Sequence, residues 1–328
     1  MKSKEKFAYD VATLATTFVK ADIPLVSTLI NATPMLEGLT IYPNNKGSEP
    51  IKIASTVAVL QASSCTFSPS GDATLTNKTL SSVKLTDQWI LCNEDLQKTW
   101  AQIYLKAGAN VENLDVNTLV TQLIEDRVKM VKEAWENLLL LGDTLSGNPQ
   151  LAFHDGLFKL MTASADITTA TIPVTAVATP AVPTDVTQAL GIVNLVAAAI
   201  PETVFDANLT PEIWVSRAVY NAVKTNIYND NNFNFVLNEE NANKAGSSFA
   251  LPVSGVRIKA VRQLTGLDTT IYAVVKELIY VAADLEGDID GMKVMPDELT
   301  DSLKGVVKFR SGIEFALDVN FVKTVFAA

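Results

Sequence analysis

Residues 116–141 contain neither glycine nor proline and repeat apolar side chains at three- and four-residue spacing, and this run constrains the fold more than any other feature. Val116, Leu119, Val120, Leu123, Met130, Val131, Ala134, Leu138 and Leu141 form one side, whereas Glu125, Asp126, Lys129, Lys132 and Glu136 take the other. Asp115 or Asn117 can cap the start and Gly142 stops the run. The spacing therefore predicts an amphipathic rod of roughly 39 Å at ~1.5 Å per residue. A shorter helical stretch is expected over residues 95–106.

The segment upstream has the opposite character. After Pro24, Pro34 and Pro43 comes the turn-forming run Asn44, Asn45, Lys46, Gly47, Ser48, through which no helix can continue. Residues 51–60 and 73–91 are rich in β-branched and hydroxylated side chains, with Ser68, Pro69, Ser70, Gly71 and Asp72 between them. They predict a long hairpin with its tip near Gly71. Such a ribbon buries little by itself and is marginal in water, so it must lie on something else, including a neighbouring subunit. Lys2, Lys4 and Lys6 precede a moderately apolar stretch, but Asp10 and several threonines interrupt it, which favours an amphipathic arm over a secretory signal.

Downstream, residues 162–184 shift to Ala, Thr, Val and Pro, including Pro173, Pro180 and Pro183, as expected of an extended loop or edge strands. Helices are expected over 185–200 and over 211–227, the second capped by Thr210 with Pro211 in its first turn, and a short strand over 203–205. Strand-like alternation follows over 255–261, 270–275, 277–283, 306–310 and 313–325. The fold class is therefore α+β, and no fixed-period repeat points to a solenoid.

A net charge of −10, from 36 acidic against 26 basic residues, speaks against a protein that reads nucleic-acid sequence, because phosphate contacts need clustered Lys and Arg. It suits a wall that surrounds nucleic acid without adhering to it. No run of about 18 apolar residues occurs, so no membrane span is expected. Cys65 and Cys92 are too few and too far apart for a metal knuckle or a disulfide scaffold, which makes a reducing cytoplasm the default compartment.

Catalytic signals are sparse. His154 is the single histidine and sits in an aromatic cluster from Phe153 to Phe158, where a structural role is expected. No nucleophile elbow, paired-histidine zinc motif, phosphate-binding loop or dinucleotide fingerprint is present. The carboxylate pairs Glu125 with Asp126, Glu239 with Glu240 and Asp297 with Glu298 read as solvated faces. Glu286, Asp288, Asp290, Gly291 and Asp297 imitate the spacing of a calcium loop. Glu stands where that loop needs Asp and Asp where it needs a bidentate Glu, and strand-like residues precede it. An acidic turn is the expected reading. No enzyme activity, metal or cofactor is expected.

The order of arm, hairpin, rod helix, Gly-Asp turn, α/β region and closing strands resembles the tailed-phage major capsid fold named after bacteriophage Hong Kong 97. Leu141, Gly142, Asp143, Gly147, Asn148, then Phe153, His154, Asp155, Gly156 and Leu157 are similar to that family's Gly-Asp-Gly…Gly-Leu passage. Leu209, Thr210, Pro211, Glu212, Ile213 and Trp214 resemble its helix start, and Leu251, Pro252, Val253 its following strand. Val307, Phe309, Arg310, Ile313, Phe315, Ala316 and Val325 resemble its terminal strands. Thr144 departs from the pattern, and the family's cross-linking lysine and asparagine have no clear counterpart.

The resemblance implies an N-terminal arm over 1–40, an extended β-hairpin (the E-loop) over 41–93, a peripheral domain over 94–150 and 276–328 with the spine helix 116–141, and an axial domain over 151–275. It implies a major capsid protein that self-assembles through pentamers and hexamers into an icosahedral phage head around double-stranded DNA, with portal, scaffolding or decoration proteins as further partners. The expected location is the virion, after assembly in the host cytoplasm. Phe67, Pro69, Gly71, Asp72, Lys78 and Trp89 are the expected subunit-interface residues. The alternatives are an encapsulin-type nanocompartment shell of the same fold and a secreted surface or adhesion protein.

Overall fold

The computed structural model describes residues 38–43, 45, 47–57, 72–92, 116–172, 183–230, 248–252, 254–283, 293–297 and 302–326. Helix α1 spans Val116–Leu141, the bounds its spacing predicts. Its rotation differs from expectation. Val131 and Leu138 are buried as expected, but Met130 and Ala134 face solvent, and Glu136 is buried. The cause is Trp135, which meets Phe309 edge-on at 6.2 Å and donates its indole N–H to Ser311 Oγ at 2.9 Å. That anchor turns the stripe of Val128, Val131, Trp135, Leu138 and Leu139 inward. The side chains of residues 116–125, and the expected helix over 95–106, lie outside the described residues.

Strand β1 (Thr40–Pro43) precedes a hairpin of β2 (Ser48–Val57) and β3 (Asp72–Ser81). Its register runs from Ser48 opposite Ser81 to Val57 opposite Asp72. The sequence suggested that residues 73–91 continue as a single hairpin strand. Instead the chain breaks at Ser82, whose hydroxyl bonds Asn45 and Gly47, and β4 (Val83–Cys92) leaves the ribbon. β4 pairs along ten residues with β12 (Ser302–Phe315), which also pairs with β10 (Ile279–Ala283) and β11 (Lys293–Asp297). With β1 parallel to β10, these make a five-stranded sheet against which α1 packs. The strands expected over 306–310 and 313–325 are thus one long strand plus β13 (Val322–Phe326), which belongs elsewhere.

The second sheet has six strands in the order β5 (Thr168–Ile172), β13, β9 (Tyr272–Val275), β6 (Pro211–Val215), β8 (Arg257–Ala260), β7 (Ser248–Ala250). Helix α2 (Leu157–Ala163) leads into it. Helix α3 (Val186–Ala198) is capped by Asp185, which accepts from Thr187 N–H at 2.8 Å. With α5 (Arg217–Asp230), α3 covers the sheet over a core that includes Val193, Val196, Tyr220, Val223, Ile213 and Phe249.

Two expectations reverse here. Residues 203–205 lie in the short helix α4 (Glu202–Asp206), entered from Pro201, and Pro211–Val215 is a strand. A short apolar run such as Ile213, Trp214, Val215 cannot be assigned by period alone, and proline opens a strand as readily as a helix. Burial of Ile213, Trp214 and Val215 between layers decides for the strand, and the helix starts only after Ser216, whose Oγ accepts from Val219 N–H at 3.2 Å. The segment over 162–184 contributes β5 as an edge strand, with 173–182 outside the described residues. Leu251 and Pro252 form the turn after β7, and Val253 lies outside the described residues.

Candidate functional site

The passage that closes α1 is built on two glycines at a backbone crossing. Gly142 N–H continues the helix to Leu138 O at 2.9 Å, and Gly156 N–H returns to Gly142 O at 2.8 Å. A Cβ on Gly142 would sit 2.4 Å from His154 O, and one on Gly156 2.4 Å from Gly142 N. No other residue fits either position without moving the backbone. Around this crossing, Lys159 Nζ bridges Asp143 (2.6 Å) and Asp155 (2.7 Å). Burial opposes ionisation of Asp155, but the Lys159 ammonium and the Thr144 N–H and hydroxyl together hold its carboxyl down to about 2.

His154 is buried beneath this turn. Its Nδ1 lies 3.0 Å from the Asp155 carbonyl, which can only accept, so Nδ1 carries the proton. Nε2 then accepts from Ser311 Oγ at 2.8 Å, and Ser311 Oγ accepts from Trp135. Burial pushes the imidazole below its ordinary value. Both ring nitrogens are occupied in joining α1, the turn and β12, and the Ser311 hydroxyl beside Nε2 is itself buried and shared with the Trp135 indole, which fits a structural role. A cavity of about 350 Å³ between α1 and the turn at Arg262 is lined by residues including Asn137, Leu141, Leu151, Gln263 and Thr265, with no carboxylate, imidazole or thiol.

Among its described residues, the hairpin joins the body at its root. Leu80, fully buried, packs with Ile51 against Ala282 and Ala316, and a Cβ on Gly312 would meet Ser81 O at 2.0 Å. Lys78 Nζ lies 2.6 Å from Asp318 and 3.5 Å from Glu314, and 3.8 Å above the Phe315 ring. Burial pushes the Glu314 carboxyl up, against the opposing pull of the Phe315 N–H and Lys78. Farther out, Leu75 is 80% exposed, and Thr76, Asn77 and Thr79 face solvent.

Of the expected interface residues, Phe67, Pro69 and Gly71 lie outside the described residues, and Asp72 begins β3 opposite Val57. Lys78 is engaged within its own chain. Trp89 is not on the ribbon: it lies in β4, over Gly305, packed on the core beneath α1, with its indole N–H unpartnered. Glu286, Asp288 and Asp290 lie outside the described residues, and Asp297 ends β11 opposite Ser302. Among the described residues, no group of three or more His, Cys, Asp or Glu is arranged to hold a metal, and no helix is long and apolar enough to cross a membrane. The Ser311 junction escaped sequence reasoning because its partners His154 and Trp135 are 157 and 176 positions away.

Among the described residues, a rod helix against one sheet, a second helix-covered sheet and a ribbon joined to the body at its root make up the fold. The chain shares this fold with chains of solved capsids. It matches the satellite phage P4 procapsid including size determination (Sid) protein at TM-score 0.57 and 11% identity, covering 93% of this chain and 99% of that one. It matches the capsid of an empty GTA particle at TM-score 0.58 and 11% identity, covering 90% of each. The capsid of Myoviridae phage XM1 gives TM-score 0.53 and 10% identity, covering 89% of this chain and 91% of that one. No family model and no curated protein matches the sequence.

Proposed function

We propose that this chain is the major capsid protein of a tailed phage, which assembles with copies of itself into the icosahedral shell around double-stranded DNA. The observation that carries the reading is the ribbon. Ten residue pairs of β2 and β3 form a two-stranded sheet whose apolar anchor, among the described residues, is at its root, and Leu75 is left 80% exposed. A free ribbon of this kind is marginal in water, and a neighbouring copy supplies the missing surface. The shared capsid fold over nine-tenths of the chain supports the same reading.

In this reading the ribbon belongs to the extended loop of 41–93, and residues 1–40 form the N-terminal arm. The five-stranded sheet and α1 belong to the peripheral domain of 94–150 and 276–328, and the six-stranded sheet to the axial domain of 151–275, with β13 tying the two together. Copies meet as pentamers and hexamers, with portal, scaffolding or decoration proteins joining the shell, and DNA is enclosed without its sequence being read. The subunit does no chemistry. It assembles in the host cytoplasm and ends in the virion.

Expression of the chain followed by size-exclusion chromatography and negative-stain microscopy tests the proposal. Uniform closed particles are expected, and a monomer at every concentration overturns it. Particles that enclose a protein cargo when assembled in the native host, with no DNA, would favour the nanocompartment reading. Deletion of residues 69–72 at the ribbon tip is expected to give a folded, soluble monomer that closes no shells.

A further inference from the structure

Helices α3 and α5 cover one side of the six-stranded sheet, and among the described residues their exposed positions carry no charge. On α3 these are Thr187, Gly191, Leu195 and Ala198, one stripe at three- and four-residue spacing, and the whole helix lacks Asp, Glu, Lys and Arg. A helix without charge on any side has the pattern of one that is covered all round. On α5 they are Ala218, Asn221, Thr225, Tyr228 and Asn229. Leu195 and Tyr228 are 45% and 54% exposed. The Asn226 amide donates to the Val186 carbonyl and ties the end of α5 to the start of α3, which sets the two stripes side by side. The solvent side of α1 is different: Asp126, Lys129 and Glu133 stand among its exposed residues.

Gly191 points the same way. It sits in the middle of α3, where glycine weakens a helix relative to alanine. A Cβ there would meet nothing within 4 Å, so packing inside the chain gives no reason for the glycine. It leaves a notch one turn from the Leu195 side chain, suited to close approach from outside. Charge returns at the borders of the face, where Asp185 caps α3 and accepts from Thr187, and Glu202 follows the last turn. The half-buried Arg217 and Lys224 of α5 are engaged within the chain, Arg217 lying 5.6 Å from the Tyr220 ring.

We propose that the α3–α5 face is buried against a second copy of this chain. Copies that each carry −10 repel one another, and a face without charge is where they approach without adding to that repulsion. Nucleic acid is a poor occupant, because phosphates need clustered Lys and Arg and the face offers neither. The size of the face also fits. The 13 residues of α3, at ~1.5 Å each, and two helices side by side at ~10 Å give roughly 400 Å². A stable complex buries about 800 Å² on each partner. The face is too small to hold a lasting dimer by itself, and it suits one weak contact repeated around a closed assembly, where such contacts add. The neutral centre with Asp185 and Glu202 at its ends has the layout of an interface core and its polar rim.

The contact rests on the shell reading, and substitutions on the two kinds of helix face separate them. Leu195→Glu and, independently, Gly191→Leu are each expected to raise the subunit concentration needed for assembly by about tenfold or more. Leucine is a better helix former than glycine and enters open space, so the Gly191→Leu monomer should keep the wild-type circular dichroism spectrum and urea midpoint. It decides the matter should Leu195→Glu fold poorly. Met130→Glu, at a 63% exposed apolar position on the charged side of α1, should assemble like the wild type. Variants at 191 and 195 that also assemble like the wild type sink the contact and leave the shell reading standing. A Met130→Glu chain that fails equally removes the contrast between the faces, and the contact falls with it. Flotation of the free subunit with phosphatidylcholine vesicles, lost in Leu195→Glu while particles are unchanged, reassigns the face to a lipid surface. A wild type that never self-associates overturns both ideas.

Discussion

Ser311 closes the buried chain from Trp135 to His154, and its removal leaves two buried polar atoms without partners at once. At about 1–3 kcal/mol for each unsatisfied group, Ser311→Ala is expected to lower stability by roughly 2–6 kcal/mol, as read from the midpoint of urea unfolding. The same junction sets a pH dependence. Burial keeps the folded-state pKa of His154 below its ordinary 6.5, so the unfolded chain takes up a proton that the folded one refuses. Stability present above pH 6.5 therefore falls as acid is added, down to the lower folded value. His154→Gln is expected to remove this limb and leave the one below pH 3.8, where Asp155, held to about 2, begins to lose its Lys159 bridge. Gly142, Asp143, Gly156 and Leu157 were legible in the sequence because glycines at a sharp reversal leave a local mark. Ser311 left none, since a serine in a strand looks the same whatever lies across from it.

Helix α1 shows which properties of an element are local. Its ends follow from the absence of Gly and Pro and from the Gly142 stop, all within a few residues. Its rotation follows from Trp135 reaching β12, and so Met130 and Ala134 came out exposed against expectation. The ribbon behaves likewise: its strands were legible from Thr- and Val-rich composition, but the break at Ser82 was not, because β4 finds its partner two hundred residues later. The root of the ribbon is where a single side chain matters most. Leu80→Ala, at a fully buried position, is expected to cost about 2–5 kcal/mol locally. Hydrogen exchange should then quicken along β2 and β3 while α3 and α5 keep their protection, and uniform protection would contradict a ribbon anchored at its base.

The molecule is held together where the chain crosses from one sheet to the other. β12 ends at Phe315, and Leu317 adopts a left-handed conformation with φ of 56°. Fully buried Phe321 meets Phe315 at 5.0 Å, and β13 enters between β5 and β9. Thr324 Oγ1 accepts from Ile271 N–H at 3.0 Å and fastens the join. Truncation after Ala316 is expected to release β5 and open the edge of β9, seen as lost exchange protection in both, while α1 and β4 remain folded. Protection of β5 equal to that of the full chain would mean that β13 is dispensable.

The sequence alone determined the rod, its stop, the capped helix after Asp185, the α+β class and the scarcity of local catalytic motifs, because helices, caps and turns depend on residues within about four positions. Tertiary structure decided which strand pairs with which, that Pro211–Val215 is a strand, how α1 is turned, and which strand faces remain open to a neighbour. Those outcomes depend on burial between partners tens to hundreds of residues apart, from β6 with β8 to β4 with β12, and nothing in a short stretch of chain records where its distant partner will be.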